Sequence, residues 1–526
     1  MEKSSTWPAN YWKISEVIFE ISKKFRSRYL LSTSFLHPRH SIPVEHLEIL
    51  AFLKDPHKKI ISNFSFIKAL LVLILNSMLD FIFVIFLKIR FWRSFCQCSQ
   101  TYQVIVKTWV PHPDSLKSES DFYFGNFLNN LNLNKKKSVF LAGDARPNPP
   151  TLKGIFNYFS RNWEFILESS DLRFKKYIPE KLLVPVWAPI VDVFGLMFAG
   201  IKFFCLSILD KDPLMKIILK QLSLSCLKVS TFRNAQYFWI GMNVSKKFKV
   251  SSLVTLFEGQ PWEKIIWLGA KSENSHLMIS GYQHTVVMSH AFALLKPIEN
   301  AWFVSVPDLV MCTGPSTVLS MQDGFNLQKV KFISYGTHRR GKEKDALVFP
   351  RPQAEVVLVL PEGILSEAIE LFNLSISLAK KNPNLRFIFR CHPVLPFDKV
   401  QPFLTQRISD ISQIELSKTP VIKDDFLRAS LLLYRGSSSA LYSVLYGLKP
   451  ICTIHKGEPN IDPMSSLRVW REYASNESEV LKIIENFKNS NSLELNHNWQ
   501  EAAQFVDNYF CPVSDESFKK VFDNLI

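Results

Sequence analysis

The pattern of apolar and polar positions changes at about residue 100. Before that point it is helical and basic, and residues 69–87 form the most apolar stretch of the chain. Their length is close to the roughly 20 apolar residues that a membrane-spanning helix needs. However, Asn76 and Asp80 interrupt the stretch and basic residues flank both of its ends. We therefore predict a helix or helical hairpin that enters one leaflet of a membrane, with a buried core helix as the alternative.

After about residue 100, short apolar runs alternate with longer amphipathic ones, which is the pattern of an α/β protein. A second apolar stretch, residues 187–209, either joins the first or belongs to the core. Residues 336–351 are polar, basic and bounded by prolines, as in a linker. We predict two Rossmann-like domains facing a cleft. The predicted units are a helical membrane-associating segment (1–99), an N-terminal acceptor-side domain (100–345) and a C-terminal nucleotide-donor domain (346–526).

Composition and charge limit the classes of partner. With 526 residues, the chain is too long for one core, and 47% hydrophobic residues exclude a disordered protein. A net charge of +16 favours an anionic partner, namely nucleic acid, an acidic membrane or a charged substrate. We expect no nucleic acid, because no basic-aromatic binding module is recognisable. Eight scattered cysteines predict free thiols in a reducing cytoplasm, and the first residues lack the apolar core of a signal peptide.

Polar residues follow two predicted strands in the second half. They are His392 and Pro393 after one strand, and Gly436, Ser437, Ser438 and Ser439 after another. In an open parallel sheet, ligands collect beyond the carboxyl ends of the strands, and the N–H groups that begin a helix favour an anion. The pattern predicts a site for the phosphates of a nucleotide. The alternatives are a structural loop histidine and ordinary N-cap serines.

Four further residues in this half carry possible chemistry. Gly363, at a strand-to-helix turn, would let the backbone approach the nucleotide. Glu458, after the last predicted strand, could accept a hydrogen bond from a ribose or from the donor sugar. Asp424 and Asp425 could form a metal pair, but they precede a short helix and are expected to cap it. We therefore predict neither a metal nor another cofactor.

Two acids and a histidine follow predicted strands of the first half. Glu258 and Glu263 lie in the string LFEGQPWE and are expected to face the cleft, where a carboxylate could deprotonate an attacking hydroxyl. His284 ends the strand-like run SGYQH. The alternative for each acid is a solvated turn.

With these residues in place, residues 350–470 resemble glycosyltransferases of the two-Rossmann (GT-B) type, in particular bacterial sialyltransferases and Kdo transferases. A His-Pro and a Ser-Ser motif hold the CMP phosphate in that family, and they match His392-Pro393 and Ser437-Ser438. The family's acidic-acidic-Gly motif is matched only by Glu258-Gly259, because Phe257 replaces the first acid. Two further blocks, KTW…DFYFG and EGQPWE…GYQH, look like bacterial surface-carbohydrate biosynthesis proteins.

The resemblance implies inverting, metal-independent transfer of an acidic sugar from a CMP donor. Glu258 would act as base, and the acceptor would be a surface polysaccharide or a lipid-linked oligosaccharide. The protein would lie in the cytoplasm, peripherally on the inner membrane. Three alternatives stay open: a polyol-phosphate transferase using CDP-glycerol, in which His284 matters more than Glu258; a transferase using a UDP- or GDP-sugar; and a non-catalytic partner in polysaccharide assembly.

Overall fold

A computed structural model describes most of the chain. The described residues are 9–37, 44–54, 63–97, 102–110, 116, 118, 120–144, 152–171, 176–288, 291–295, 306–324, 330–338, 347–353, 355–393, 395–455 and 461–525. Within them, the strands form two parallel sheets, one of seven and one of six strands.

The first sheet has the strand order β3-β2-β1-β4-β5-β6-β7. Its strands are β1 (Val104–Val110), β2 (Ser138–Asp144), β3 (Tyr177–Pro179), β4 (Ser252–Leu256), β5 (Met278–Gln283), β6 (Leu309–Cys312) and β7 (Lys331–Ser334). Nearly every residue of β1, β2 and β4 is buried, as expected for parallel strands covered by helices on both faces.

The second sheet has the order β10-β9-β8-β11-β12-β13. Its strands are β8 (Val356–Leu360), β9 (Arg386–Phe389), β10 (Ile414–Leu416), β11 (Leu431–Tyr434), β12 (Lys449–Thr453) and β13 (Glu472–Ala474). In both sheets the chain builds outwards on one side of the first strand and then continues on its other side, which is the Rossmann order. The predicted pair of Rossmann-like domains is confirmed.

Helices cover the sheets and form the N-terminal segment. They are α1 (Ala9–Lys24), α2 (Arg28–Leu31), α3 (Val44–Lys54), α4 (Asn63–Gln97), α5 (Phe127–Leu133), α6 (Leu152–Asp171), α7 (Ala188–Leu209), α8 (Pro213–Cys226), α9 (Val229–Phe248), α10 (Pro261–Glu273), α11 (Phe292–Leu295), α12 (Pro315–Gly324), α13 (Leu365–Lys381), α14 (Phe397–Val400), α15 (Ile422–Arg428), α16 (Ser439–Leu445), α17 (Glu477–Lys488), α18 (Ser492–Tyr509) and α19 (Asp515–Phe522).

The most apolar stretch is one continuous helix, α4, and not a hairpin. It packs antiparallel to α7, because the ring of Phe66 contacts that of Phe204 (4.8 Å between ring centroids) while Ser77 Oγ donates to the carbonyl of Pro189 (3.1 Å). Residues 66–91 of α4 and the whole of α7 are long and apolar enough to cross a membrane, by length and composition. Only 33% and 39% of their most apolar windows are buried in the protein.

The two polar residues that interrupt α4 point into the protein. Asp80 is buried and its carboxylate lies 2.7 Å from Nζ of Lys181, in the short 3-10 segment after β3. The side chain of Gln236, on α9, bonds both partners. Asn76 is also buried. The polar side of α4 is therefore its inner side.

The C-terminal helices return to the first sheet. The rings of Phe518 (α19) and Phe127 (α5) lie 5.7 Å apart, and Nζ of Lys331 (β7) donates to Oδ1 of Asn524 (2.5 Å). The predicted boundary at 345/346 falls outside the described residues and stays a prediction. The end of the chain links the domain of the second sheet to the first.

Candidate functional site

The topology places one crevice at the carboxyl edge of each sheet. Such a crevice opens where chain connections diverge to opposite sides. This point lies between β1 and β4 in the first sheet and between β8 and β11 in the second. Residues that follow these strands are the candidates for ligand contact.

An aromatic contact brings the two edges together. Tyr442, in the first turn of α16, stacks on Phe510 at 4.8 Å with the rings 9° from parallel. The neighbouring Tyr509 hydroxyl accepts the backbone N–H of Val287 (2.8 Å), three residues beyond His284. Since α16 starts at the edge of the second sheet, the two edges lie on either side of this contact.

Glu258 and His284 form a pair at the edge of the first sheet. Their Oε1 and Nε2 atoms lie 3.1 Å apart. The other carboxylate oxygen of Glu258 accepts from Nε2 of Gln260 (2.5 Å). The Glu258 side chain is 16% exposed and that of His284 only 3%, so the carboxylate is the member that a ligand in the crevice can reach.

The side chain of Glu263 holds the turn that carries Glu258 by hydrogen bonds to its backbone. This carboxylate accepts the backbone N–H groups of Glu258 (2.9 Å), Gly259 and Gln260 (3.0 Å each). Gly259 has a φ of +78°, and a Cβ there would lie 2.7 Å from Cβ of Ala293. Glu263 is fully buried, so the expectation that it faces the cleft is wrong. Its carboxylate is hydrogen-bonded to the backbone of the turn and is not available to a ligand.

A buried lysine beside this crevice was not anticipated. Nζ of Lys107 lies 3.1 Å from a carboxylate oxygen of Glu180 and 3.6 Å from the ring centre of Trp109. Burial lowers the pKa of Lys107, and Glu180 opposes the shift. Trp109 packs edge-on against Trp262, which follows the Glu258 turn. A lysine inside an apolar strand was the sequence signal for this cluster, because a buried charge needs a partner.

At the edge of the second sheet, Glu362 lies against Gly436. A Cβ at Gly436 would lie 1.3 Å from Oε1 of Glu362, so a side chain there would displace the Glu362 carboxylate. Burial, with the nearby charge of Glu367, raises the pKa of Glu362 to about 7, and Arg435 opposes the shift. Gly363 follows Glu362 in the same turn and is half-buried. The sequence indicated this turn, but Glu362 was not among the predicted site residues.

The three serines follow Gly436 as predicted and begin α16. Ser438 is exposed at the N-cap position and makes no side-chain cap hydrogen bond. Ser437 and Ser439 are half-buried. The N-cap alternative therefore does not account for the hydroxyl of Ser438. Glu458 lies outside the described residues.

His392 and Pro393 are exposed after β9, on the other side of β8 from Gly436. Two strand spacings, about 10 Å, separate those strands. Burial of part of the ring lowers the pKa of His392, so the neutral imidazole is favoured at pH 7. The structure thus brings Gly363 to Gly436 and places His392 at the flank of the same edge.

Asp425 anchors the strand that leads to His392. Its buried carboxylate lies 2.6 Å from Nη1 of Arg390 and accepts from Oγ of Ser417 (2.6 Å). The expected capping role is wrong, because α15 has Val421 at its N-cap and Asp425 is turned inward to balance a charge. Among the residues that the structure describes, no group of three or more His, Cys, Asp or Glu side chains could hold a metal ion.

No protein-family model matches the sequence, and no curated protein matches it. The similar solved structures include a kitacinnamycin glycosyltransferase (8% identity, 81% of this chain, 100% of that chain, TM-score 0.44) and a Streptomyces nogalater glycosyltransferase (11%, 81%, 100%, 0.41). A third is the Neisseria meningitidis UDP-GlcNAc 2-epimerase bound to UDP-GlcNAc (10%, 80%, 99%, 0.42). For these three structures the TM-scores lie below 0.5 and the identities below 25%, so the likenesses say nothing about donor or reaction, and the fold rests on the two sheets themselves.

Proposed function

We propose that this protein is a glycosyltransferase that moves a sugar from a nucleotide-sugar donor to an acceptor hydroxyl. The observation that carries the proposal is the Glu258–His284 pair at the crevice of one Rossmann-like sheet, opposite the edge of a second such sheet. With this arrangement, the acceptor binds at the domain of the first sheet and the donor at the domain of the second sheet.

Glu258 is the group that would take the proton of the acceptor hydroxyl. Its carboxylate is the more exposed member of the pair and is placed to act as a general base. His284, behind it, donates a hydrogen bond from Nε2 and fixes the orientation of the carboxylate. The carboxylate of Glu263 stabilises the turn by accepting hydrogen bonds from three of its backbone N–H groups.

The edge of the second sheet would hold the donor's phosphates. Ser437, Ser438 and Ser439 offer hydroxyl groups, and the neutral His392 ring offers an N–H. Donors fixed where leaving-group charge develops provide a large part of catalysis in such sites. Gly436 and Gly363 leave room for the backbone to approach the ligand.

The resemblance to CMP-sugar transferases supports the finer assignment. We propose a CMP-activated acidic sugar as donor, inversion at its anomeric carbon, no metal, and a surface-polysaccharide or lipid-linked acceptor. The CDP-glycerol alternative requires His284 to contact the substrate. Its side chain is only 3% exposed, which favours sugar transfer with Glu258 as base.

Nucleotide binding tests this function directly. We expect CMP to raise the melting temperature of the purified protein more than CDP, UMP or GMP does, and His392→Ala to abolish that rise. His497→Ala, an exposed histidine on α18, is the matched control and should leave the rise unchanged. Preference for UMP or GMP would exclude the CMP donor, while binding of none of the four would contradict a nucleotide-dependent transferase.

Glu362 makes nucleotide binding pH-dependent. Its pKa is raised to about 7, so it is neutral below that pH and gains a negative charge above it, beside Gly436. A bound phosphate is then repelled, and we expect the affinity to fall roughly three- to tenfold between about pH 6 and about pH 8. Calorimetric titration of Glu362→Gln should show a flat profile, whereas Glu415→Gln, an exposed acid on β10, should keep the wild-type slope. A flat wild-type profile would exclude phosphate binding at this turn.

A further inference from the structure

We propose that the outer face of the α4–α7 helix pair docks in the plane of a membrane, in one leaflet that contains anionic lipid. The face consists of the exposed side chains of α4 between residues 66 and 91 and of α7. This surface is separate from the crevices described above.

Large apolar side chains recur every three or four residues along this face. On α4 they include Leu71, Met78 and Ile82, and on α7 Phe194 and Phe198, which are 64% and 72% exposed. Together the face amounts to on the order of 1,000 Å² of apolar surface, whereas soluble monomers expose patches of a few hundred Å². An apolar surface of this size is expected to be buried against a membrane or another protein.

Both helices have the same inner partner, which fixes which way the face points. Asp80 of α4 bonds Gln236 of α9, and Asp192 of α7 accepts from Nε1 of Trp239, one turn further along α9. Helix α9 therefore lies beneath both helices. Their exposed apolar sides point away from it, in one direction.

Charge selects the lipid. Within the described side chains of the two helices, the acids are Asp80 and Asp192, and both are buried in ion pairs with Lys181 and Arg28. The exposed charged residues are basic: Lys68 and Arg90 lie near the two ends of the apolar part of α4, and Lys202 lies about two turns before the end of α7. An apolar face with basic residues at its margin fits an anionic leaflet, because the apolar side chains enter the acyl region while the cations remain at the headgroups.

The same ion pairs decide between lying in the membrane and crossing it. Residues 66–91 are long enough to span a bilayer, but their inner side is bonded to Lys181 and to α9. Crossing would carry those polar partners into hydrocarbon or break the pairs, at a high cost in free energy. The helix pair therefore lies flat.

The docked face lies close to the proposed acceptor crevice. Gln236 reaches α4, while the next residue, Tyr237, packs on Trp109 and Trp262 at the edge of the first sheet. Two helix layers, α4 or α7 and then α9, thus separate the membrane from the crevice, a distance of about 20 Å. If the proposed transferase function holds, this distance suits an acceptor hydroxyl carried on a lipid.

Vesicle flotation of the full chain, without nucleotide, tests the docking apart from the transferase function. Preformed vesicles of phosphatidylcholine with phosphatidylglycerol should bind the protein, and pure phosphatidylcholine should bind it at least tenfold more weakly. Phe194→Ser/Phe198→Ser should lower the partition coefficient about 100-fold. Leu493→Ser, an exposed apolar residue on α18, is the matched control and should bind normally.

Three results would overturn the proposal. They are failure of the wild type to float, equal binding of the double variant, and size-exclusion chromatography showing a dimer that only the double variant dissociates. The last result would assign the face to a second copy of the chain. Circular dichroism of each variant establishes that it is folded.

Discussion

Replacement of Glu258 by Gln should lower kcat for sugar transfer by about 10²–10⁴-fold, the usual contribution of a general base. The amide keeps the size of the side chain and can still accept the hydrogen bond from Nε2 of His284, but it cannot take a proton. KM for the donor should change little, because the donor binds at the other sheet. Steady-state rates with the donor identified by nucleotide binding measure both values.

Two further variants distinguish the general base, Glu258, from the residue that orients it, His284. His284→Asn removes the 3.1 Å contact and should cost about tenfold, the effect of losing one hydrogen bond to a charged group. Glu273→Gln, an exposed acid at the end of α10, should behave as wild type. If His284→Asn abolished activity while Glu258→Gln retained it, His284 would be the base and the CDP-glycerol alternative would be favoured.

The contact between Glu258 and His284 could not be predicted from the sequence. Each was predicted separately, because each follows an apolar run at a strand end. What the sequence lacks is the register of β4 against β5, in which Leu256 lies beside Tyr282. Two residues further along each strand, this register brings Glu258 to His284. Register depends on packing between distant segments, so the contact could not be derived from local pattern.

The sheets themselves could be predicted, because buried parallel strands appear as short apolar runs between helices. Buried charges were harder to place. Glu263 was expected to face the cleft, Asp425 to cap a helix or bind a metal, and no role was predicted for Lys107. Each proved to be balanced by a group remote in sequence or by backbone N–H groups. A charge in an apolar context predicts that a partner exists but does not identify it.

Asp80 gives the second large effect that we expect, this time on stability. Asp80→Ala removes the charged partner of Lys181 and leaves an ammonium group buried in the protein, with only neutral groups such as the amide of Gln236 and the side chain of Tyr158 beside it. Breaking a buried pair from one side costs about 3–5 kcal/mol. For a domain of this size, the melting temperature should fall by about 6–20 °C, measured by scanning calorimetry of the full chain.

Two controls make this result specific to a buried pair. Glu477→Ala breaks the ion pair with Lys381 at the surface and should lower the melting temperature by at most a few degrees. Asp80→Leu/Lys181→Met/Gln236→Leu replaces the whole buried group by apolar side chains and should recover most of the loss. An Asp80→Ala protein as stable as wild type would mean that α4 is not held on the body by this pair. The physical reason for a helix lying flat, with its polar side inward and its apolar side exposed, would then be lost.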